Sequence, residues 1–190
     1  MKQIVVFASG EGTNTQHLID YFEGRDLKIT LIVCNNPNAN VLKRAEKNSL
    51  STLLINREDF YKGDSVLKRL IAEKPDLIVC AGFLWKIPEN ILDSFANKIV
   101  NIHPALLPKF GGKGMYGMNV HTAVIASGEK ESGITIHHLN GQYDEGKIIF
   151  QATCEVKRDD TSETLAQKVQ ELEHRYFAKT IEQLLKAHPN

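Results

Sequence analysis

The sequence predicts a single α/β domain: a mostly parallel, Rossmann-like sheet with helices on both faces and an antiparallel C-terminal addition. Three observations lead there. Short, continuous apolar runs alternate with helix-period stretches through the first half of the chain. The first run leads straight into a glycine-rich turn, Ser9-Gly10-Glu11-Gly12-Thr13-Asn14. Late in the chain, two strand-like runs are joined by a loop with no helix between them. Strands buried on both faces read as unbroken apolar segments. Strands alternating with helices favour a parallel sheet, because the helix is the crossover that carries the chain back.

Taken in order, Ile4–Ala8 is the first strand and the stretch from Asn14 to Glu23 the first helix. Leu27–Cys34 is a strand, Asn40–Asn48 a helix and Ser51–Ile55 a strand. Ser65–Glu73 is helical, with Val66, Leu67, Leu70 and Ile71 on one face. Pro75-Asp76 opens the strand Leu77–Ala81, and a helix over Pro88–Phe95 leads to the strand Lys98–Ile102. Gly133–Leu139 and Lys147–Val156 form the antiparallel addition, joined by the turn 140–146. A long helix closes the chain. Asp160-Thr161-Ser162-Glu163 has capping-box spacing, with Asp160 as N-cap and Glu163 three residues on. Leu165, Val169, Leu172, Phe177, Ile181 and Leu184 supply its apolar stripe. One domain is expected over 1–190, with an N-terminal nucleotide-binding half over 1–100 and a catalytic half over 101–190.

Composition narrows the function. The chain has 190 residues, 42% of them apolar, enough for a core without covalent staples. Lys plus Arg and Asp plus Glu number 23 each, so no global charge draws the protein to nucleic acid or an anionic membrane. Any anion site must be local. Cys34, Cys80 and Cys154 sit in or beside apolar runs without CxxC spacing, and are expected as buried, reduced thiols. Met1-Lys2-Gln3-Ile4 enters a strand pattern at once, with no signal or transmembrane run, so a cytoplasmic protein is expected.

Two segments carry candidate chemistry. The turn after the first strand sits where open parallel sheets bind ligands. Its glycines allow close backbone approach, and the following helix N-terminus offers free N–H donors, so phosphate is the natural guest. An ordinary short turn is the plain alternative. Asn101-Ile102-His103-Pro104 ends a strand. Residues two apart share a face, so Asn101 and His103 point together while Ile102 packs inward and Pro104 stops the ladder. This pairs a fixed amide donor with an imidazole that titrates near neutrality. A strand-end histidine that satisfies a loop carbonyl is the alternative. Asp144, in a glycine-flanked loop, could reach the same edge and orient the imidazole, or lie solvated in a turn. His121 and His137 are candidates to line the cleft. His137 and His138 face opposite ways and cannot share a metal. His17, His174 and His188 fall on helices, and no metal constellation is evident.

Together these segments resemble the folate-dependent glycinamide ribonucleotide formyltransferases. The matching pieces are the run from Ile4 to Asn14, Ala81-Gly82-Phe83, the run from Asn101 to Lys109, the run from Ser132 to His137, and Asp144-Glu145-Gly146 through Gln151. The resemblance implies transfer of the formyl group of 10-formyltetrahydrofolate to the amine of 5-phosphoribosylglycinamide, a step of purine biosynthesis. It implies a Rossmann-like formyltransferase fold, the folate as co-substrate, no metal, and small-molecule substrates rather than nucleic acid or membrane. A monomer or homodimer is expected. At matching positions, Asn101, His103 and Asp144 correspond to the catalytic trio. Gly12, Thr13 and Asn14 correspond to the phosphate site, and Glu173 to a carboxylate that holds the ribose hydroxyls. Leu84, Trp85, Lys86, Ile87, Asn101, Asn140, Gly141 and Asp144 correspond to the folate site.

Departures from the family pattern are specific. Glu11 stands where Asn is more usual, so its side chain must turn away from a phosphate. Trp85-Lys86 replaces an Arg-containing form, and either Arg57 or Lys62 is placed to meet the folate glutamate tail. The stretch from Phe110 to Asn119 is longer than usual and carries four glycines, as a flap over the substrates would. The alternatives are a formyl-folate hydrolase, a formyltransferase acting on methionyl-tRNA or a nucleotide sugar, and a non-catalytic nucleotide-binding module.

Overall fold

A computed structural model describes residues 1–187; His188, expected on the last helix, lies outside them. The strands are β1 (Lys2–Ala8), β2 (Leu27–Cys34), β3 (Ser51–Leu54), β4 (Leu77–Cys80), β5 (Ile99–His103), β6 (Glu131–His138) and β7 (Ile148–Glu155). The helices are α1 (Thr13–Phe22), α2 (Asn40–Lys47), α3 (Arg57–Tyr61), α4 (Ser65–Glu73), α5 (Glu89–Ser94), α6 (Met118–Ser127) and α7 (Ser162–Ala187). One sheet takes the order β3-β2-β1-β4-β5-β6-β7. Pairings from β3 through β5 are parallel. Those of β5 with β6 and β6 with β7 are antiparallel. The order reverses between β1 and β4, and that switch opens a crevice at the strands' carboxyl ends.

The apolar runs are unbroken because both faces of the sheet are covered. In β1, Ile4, Val6 and Ala8 face a core shared with Leu18 of α1, Ala45 of α2, Val124 of α6 and Phe177 of α7. Val5 and Phe7 face the opposite core, with Phe60 of α3, Leu70 of α4 and Ile91 of α5. Among the described residues, no helix is long and apolar enough to cross a membrane.

Several local expectations need correction. On α4, Val66 and Leu70 are buried but Ile71 is 53% exposed, so its apolar face is narrower than the spacing suggested. The capping box of α7 is shifted by one residue: Thr161 Oγ1 accepts from the Thr164 N–H and Thr164 Oγ1 from the Thr161 N–H. Asp160 instead pairs with Lys168. Cys34 and Cys80 are buried but Cys154 only partly so, and all three are free. On α7, Leu172 and Leu184 pack at the margin of the core, whereas Leu165, Val169, Phe177 and Ile181 are fully within it. Helix α6 stands outside the elements the sequence predicts; only its first two residues, Met118 and Asn119, fall in the stretch read as a flap. Its residues are apolar on most sides, which hides the one-sided pattern that identifies surface helices.

Close sheet packing depends on Gly133. A Cβ there would stand 1.9 Å from the Ala152 carbonyl oxygen of β7 and 2.9 Å from Leu106 Cδ2. The backbone oxygen cannot swing aside as a side chain would. Gly133→Ala is therefore expected to destabilise the fold by about 2 kcal/mol or more, as overpacking does. Urea unfolding should show a lower midpoint; an unchanged midpoint contradicts this packing.

Candidate active site

The carboxyl edge of the sheet borders a cavity of about 750 Å³. β5 brings Asn101 and His103 to its wall on the same face, as residue alternation requires. His103 is 3% exposed. Its Nε2 donates to the Phe110 carbonyl oxygen at 2.8 Å, which fixes a proton on that nitrogen. The ring therefore does satisfy a loop carbonyl, and the other nitrogen stays available. That Nδ1 lies 3.7 Å from Asp144 Oδ2, near but beyond hydrogen-bond range.

Asp144 is held by backbone. Its Oδ2 accepts from the Gly112 N–H at 2.9 Å, and its own φ of 57° places it in the left-handed region. Gly146 secures this turn: a Cβ there would stand 1.7 Å from the His138 carbonyl oxygen.

His137 completes the cluster from behind the cavity wall, a place the sequence reading did not give it. The antiparallel register sets it opposite Asn101. Its ring is fully buried, and Nδ1 donates to the His138 carbonyl oxygen at 2.9 Å. Burial pushes its pKa below the usual histidine value, against the opposing pulls of that hydrogen bond and of Asp144. The neutral ring thus offers Nε2 as an acceptor, and Asn101 Nδ2 donates to it at 3.1 Å. This orients the amide and leaves its second N–H for a guest. Asp144 Oδ1 lies 3.7 Å from the same nitrogen. Nearby, Thr135 Oγ1 accepts from the Leu107 N–H and from Gln151 Nε2, and donates to the Ala105 carbonyl oxygen. It pins the segment that follows His103. The sequence names His137 only as a candidate to line the cleft and gives Thr135 no role, because strand pairing is what sets them against Asn101 and His103.

At the cavity's other end, α1 meets α7. Asn14 Nδ2 donates to Glu173 Oε2 at 2.8 Å, and both side chains line the cavity. Burial raises the Glu173 pKa, and the Asn14 bond partly counters it. Gly10 and Glu11 also line the wall, whereas Gly12 and Thr13 are not among its lining residues. A Cβ on Gly12, whose φ is 70°, would stand 2.7 Å from Val41. Thr13 Oγ1 accepts from Gln170 Nε2 at 3.3 Å. Asn40 Nδ2 donates to both carboxylate oxygens of Glu11 at 3.0 Å, drawing that charge to the start of α2.

The remaining wall is apolar and aromatic. Leu84, Trp85, Lys86, Ile87 and Asn140 line it, while Gly141 does not. Arg57 lies over the Trp85 ring at 5.2 Å and Lys86 over the Tyr143 ring at 5.5 Å. The glycine-rich segment from Gly112 to Met118 also lines the cavity, and Asn119 Nδ2 donates to the Gly114 carbonyl oxygen. His121 lines the cavity too. Cys80 borders it as well, although no cysteine was expected there. Burial pushes the Cys80 thiol up to about 12, so it is no thiolate nucleophile at neutral pH.

A doubly wound sheet that presents an amide, two imidazoles and a carboxylate at its carboxyl edge is suited to stabilising charge and moving protons, without a covalent nucleophile. The formyl transferase family pattern matches residues 2–181, and the chain belongs to that family. Over 189 residues it is 38% identical to the chloroplastic phosphoribosylglycinamide formyltransferase of Vigna unguiculata, covering 96% of this chain and 61% of that one. It thus spans less than two thirds of that relative. The Bacillus subtilis phosphoribosylglycinamide formyltransferase is 33% identical, covering 97% of this chain and 95% of its own. The crystal structure of glycinamide ribonucleotide transformylase 1 from Symbiobacterium toebii superposes with a TM-score of 0.89 at 32% identity, covering 98% of this chain and 89% of that one.

The Asn14–Glu173 contact yields a direct test. Asn14→Ala removes the bond that favours the charged carboxylate, so the Glu173 pKa should rise further. Carbon-detected NMR titration of that carboxyl reads it; an unchanged or lower midpoint contradicts the contact.

Proposed function

We propose that this protein transfers the formyl group of 10-formyltetrahydrofolate to the amine of 5-phosphoribosylglycinamide, releasing tetrahydrofolate. One observation carries the reading: a single cavity is lined both by Asn101, His103 and Asp144 and by Asn14 and Glu173. This combination suits an acceptor with an amine at one end and a sugar phosphate at the other. The names of the family relatives support the same assignment.

The chemistry follows from the side chains. The substrate amine attacks the formyl carbon, and the carbonyl oxygen becomes an oxyanion. Asn101, oriented by His137, donates its second N–H to that oxygen and keeps its charge state throughout. Asp144 takes the amine's proton, directly or through a water, and passes it to the free Nδ1 of His103, which it faces. As the bond to the folate nitrogen breaks, its electron pair stays on nitrogen and accepts a proton from His103 Nδ1. His103 Nε2 remains bound to Phe110, so the ring pivots little.

At the acceptor end, Glu173 accepts from the ribose hydroxyls, while the Gly10–Asn14 turn and the start of α1 hold the phosphate. The wall from Leu84 to Ile87, with Asn140, holds the folate. Arg57, placed over Trp85 at the cavity wall, is the better candidate than Lys62 for the glutamate tail. The segment over 110–119 acts as a cover on the bound pair.

The decisive assay supplies 10-formyltetrahydrofolate with glycinamide ribonucleotide, and in parallel with methionyl-tRNA or an amino-sugar nucleotide at equal concentration. Faster formylation of either alternative overturns the acceptor assignment. Asn101→Ala should lower kcat by about 10²–10³, the usual cost of an oxyanion donor. His103→Ala should lower it by about 10²–10⁴. A folded variant with near-normal kcat refutes that residue's role. Glu173→Gln should raise KM for the ribonucleotide while leaving KM for the folate unchanged.

A further inference from the structure

One imidazole at the cavity has no task in the chemistry above. His121, on α6, is 6% exposed and lines the cavity. Its Nδ1 is sealed from solvent and has no hydrogen-bond partner among the described residues. Burial first, and the neighbouring His103 second, push its pKa below the usual histidine value, so the ring is neutral near pH 7.

A neutral imidazole carries one N–H and one lone pair. Orphaned buried N–H groups are rarer than under-satisfied acceptors. The lone pair therefore belongs on the sealed Nδ1, and the proton on Nε2. Burying a polar ring without a protein partner is costly unless a guest supplies the partner.

Position selects that guest. On one side, His121 lines the same cavity as His103, Asn101 and Asp144. On the other, α6 rests against α7, with Thr122 Oγ1 donating to Ser162 Oγ at 3.3 Å, and α7 carries Glu173. His121 thus shares one cavity with the reacting centre and with the wall assigned to the sugar. In glycinamide ribonucleotide, the group between the amine and the ribose is an amide. Its carbonyl oxygen is an acceptor for which the residues assigned above provide no donor.

We propose that His121 Nε2–H donates to the amide carbonyl of the acceptor, making His121 a specificity-determining residue for an α-amino amide. This rests on the activity proposed above.

The test begins with wild-type protein turning over glycinamide ribonucleotide, followed by three variants. His121→Phe keeps a ring without a donor. His121→Asn places an amide only as far as Nδ1, and His121→Gln extends one to the position of Nε2. Phe and Asn are expected to raise KM for the ribonucleotide on the order of 10–100-fold, the scale of an unpaired polar contact in a selective site. KM for 10-formyltetrahydrofolate should not move, and Gln should recover much of the loss. A packing role would move both constants alike and would not be rescued by Gln. The proposal is overturned if Phe and Asn stay near wild type, if both constants rise together, or if Gln is as impaired as Asn. A wild-type protein that does not formylate glycinamide ribonucleotide refutes the activity instead. Calorimetric binding of the ribonucleotide then decides for His121, an affinity unaffected by Phe or Asn overturning it.

Discussion

The antiparallel pairing of β5 with β6 is the constraint on which the candidate site depends. A parallel strand at this position would have brought other residues to face Asn101. The antiparallel run of β6, reached by way of α6, sets His137 against Asn101 and Thr135 against His103. From those two pairs follow the orientation of the amide and the anchoring of the segment after His103. The same strand carries the chain into the loop that delivers Asp144. Gly133 and Gly146 permit it, because each occupies a place where a side chain would strike a neighbouring backbone carbonyl.

Electrostatic differentiation within one cavity comes from three carboxylates in three settings. Glu11 spends its charge on Asn40 and is drawn towards the start of α2. Asp144 stands between two imidazoles at equal separation, fixed by a backbone N–H. Glu173 is partly desolvated and held by one amide, which leaves it acceptor capacity for a polyol. The imidazoles differ in the same manner. His137 is buried and committed to protein partners, His103 commits one nitrogen, and His121 has no protein partner for its sealed nitrogen. Environment rather than residue type divides the labour.

The stretch from Phe110 to Met118 connects these parts. Its beginning accepts the His103 proton at the Phe110 carbonyl and donates the Gly112 N–H to Asp144. Its end enters α6, which carries His121. Gly111 lies under this arrangement, where a Cβ would meet Leu107 at 2.6 Å and Asp144 at 3.2 Å. The glycines thus serve close packing around the carboxylate as well as lining the cavity.

The sequence by itself determined the layered α/β architecture, the span of β2 over Leu27–Cys34, that of α4 over Ser65–Glu73, and the shared face of Asn101 and His103. These are consequences of period and local sterics, which a short window contains. Tertiary structure alone decided the rest. The partner of Asn101 lies 36 residues away and that of Asn14 lies 159 away, separations at which no local pattern records who meets whom. It put Asn14 on the cavity wall, while Gly12 packs against Val41 of α2 and Thr13 meets Gln170 of α7. It shifted the α7 cap from Asp160 to Thr161, since a lysine one helical span away claims the aspartate. It also sealed His121 Nδ1 without a partner, since burial depends on what every packed element covers and no local window contains that.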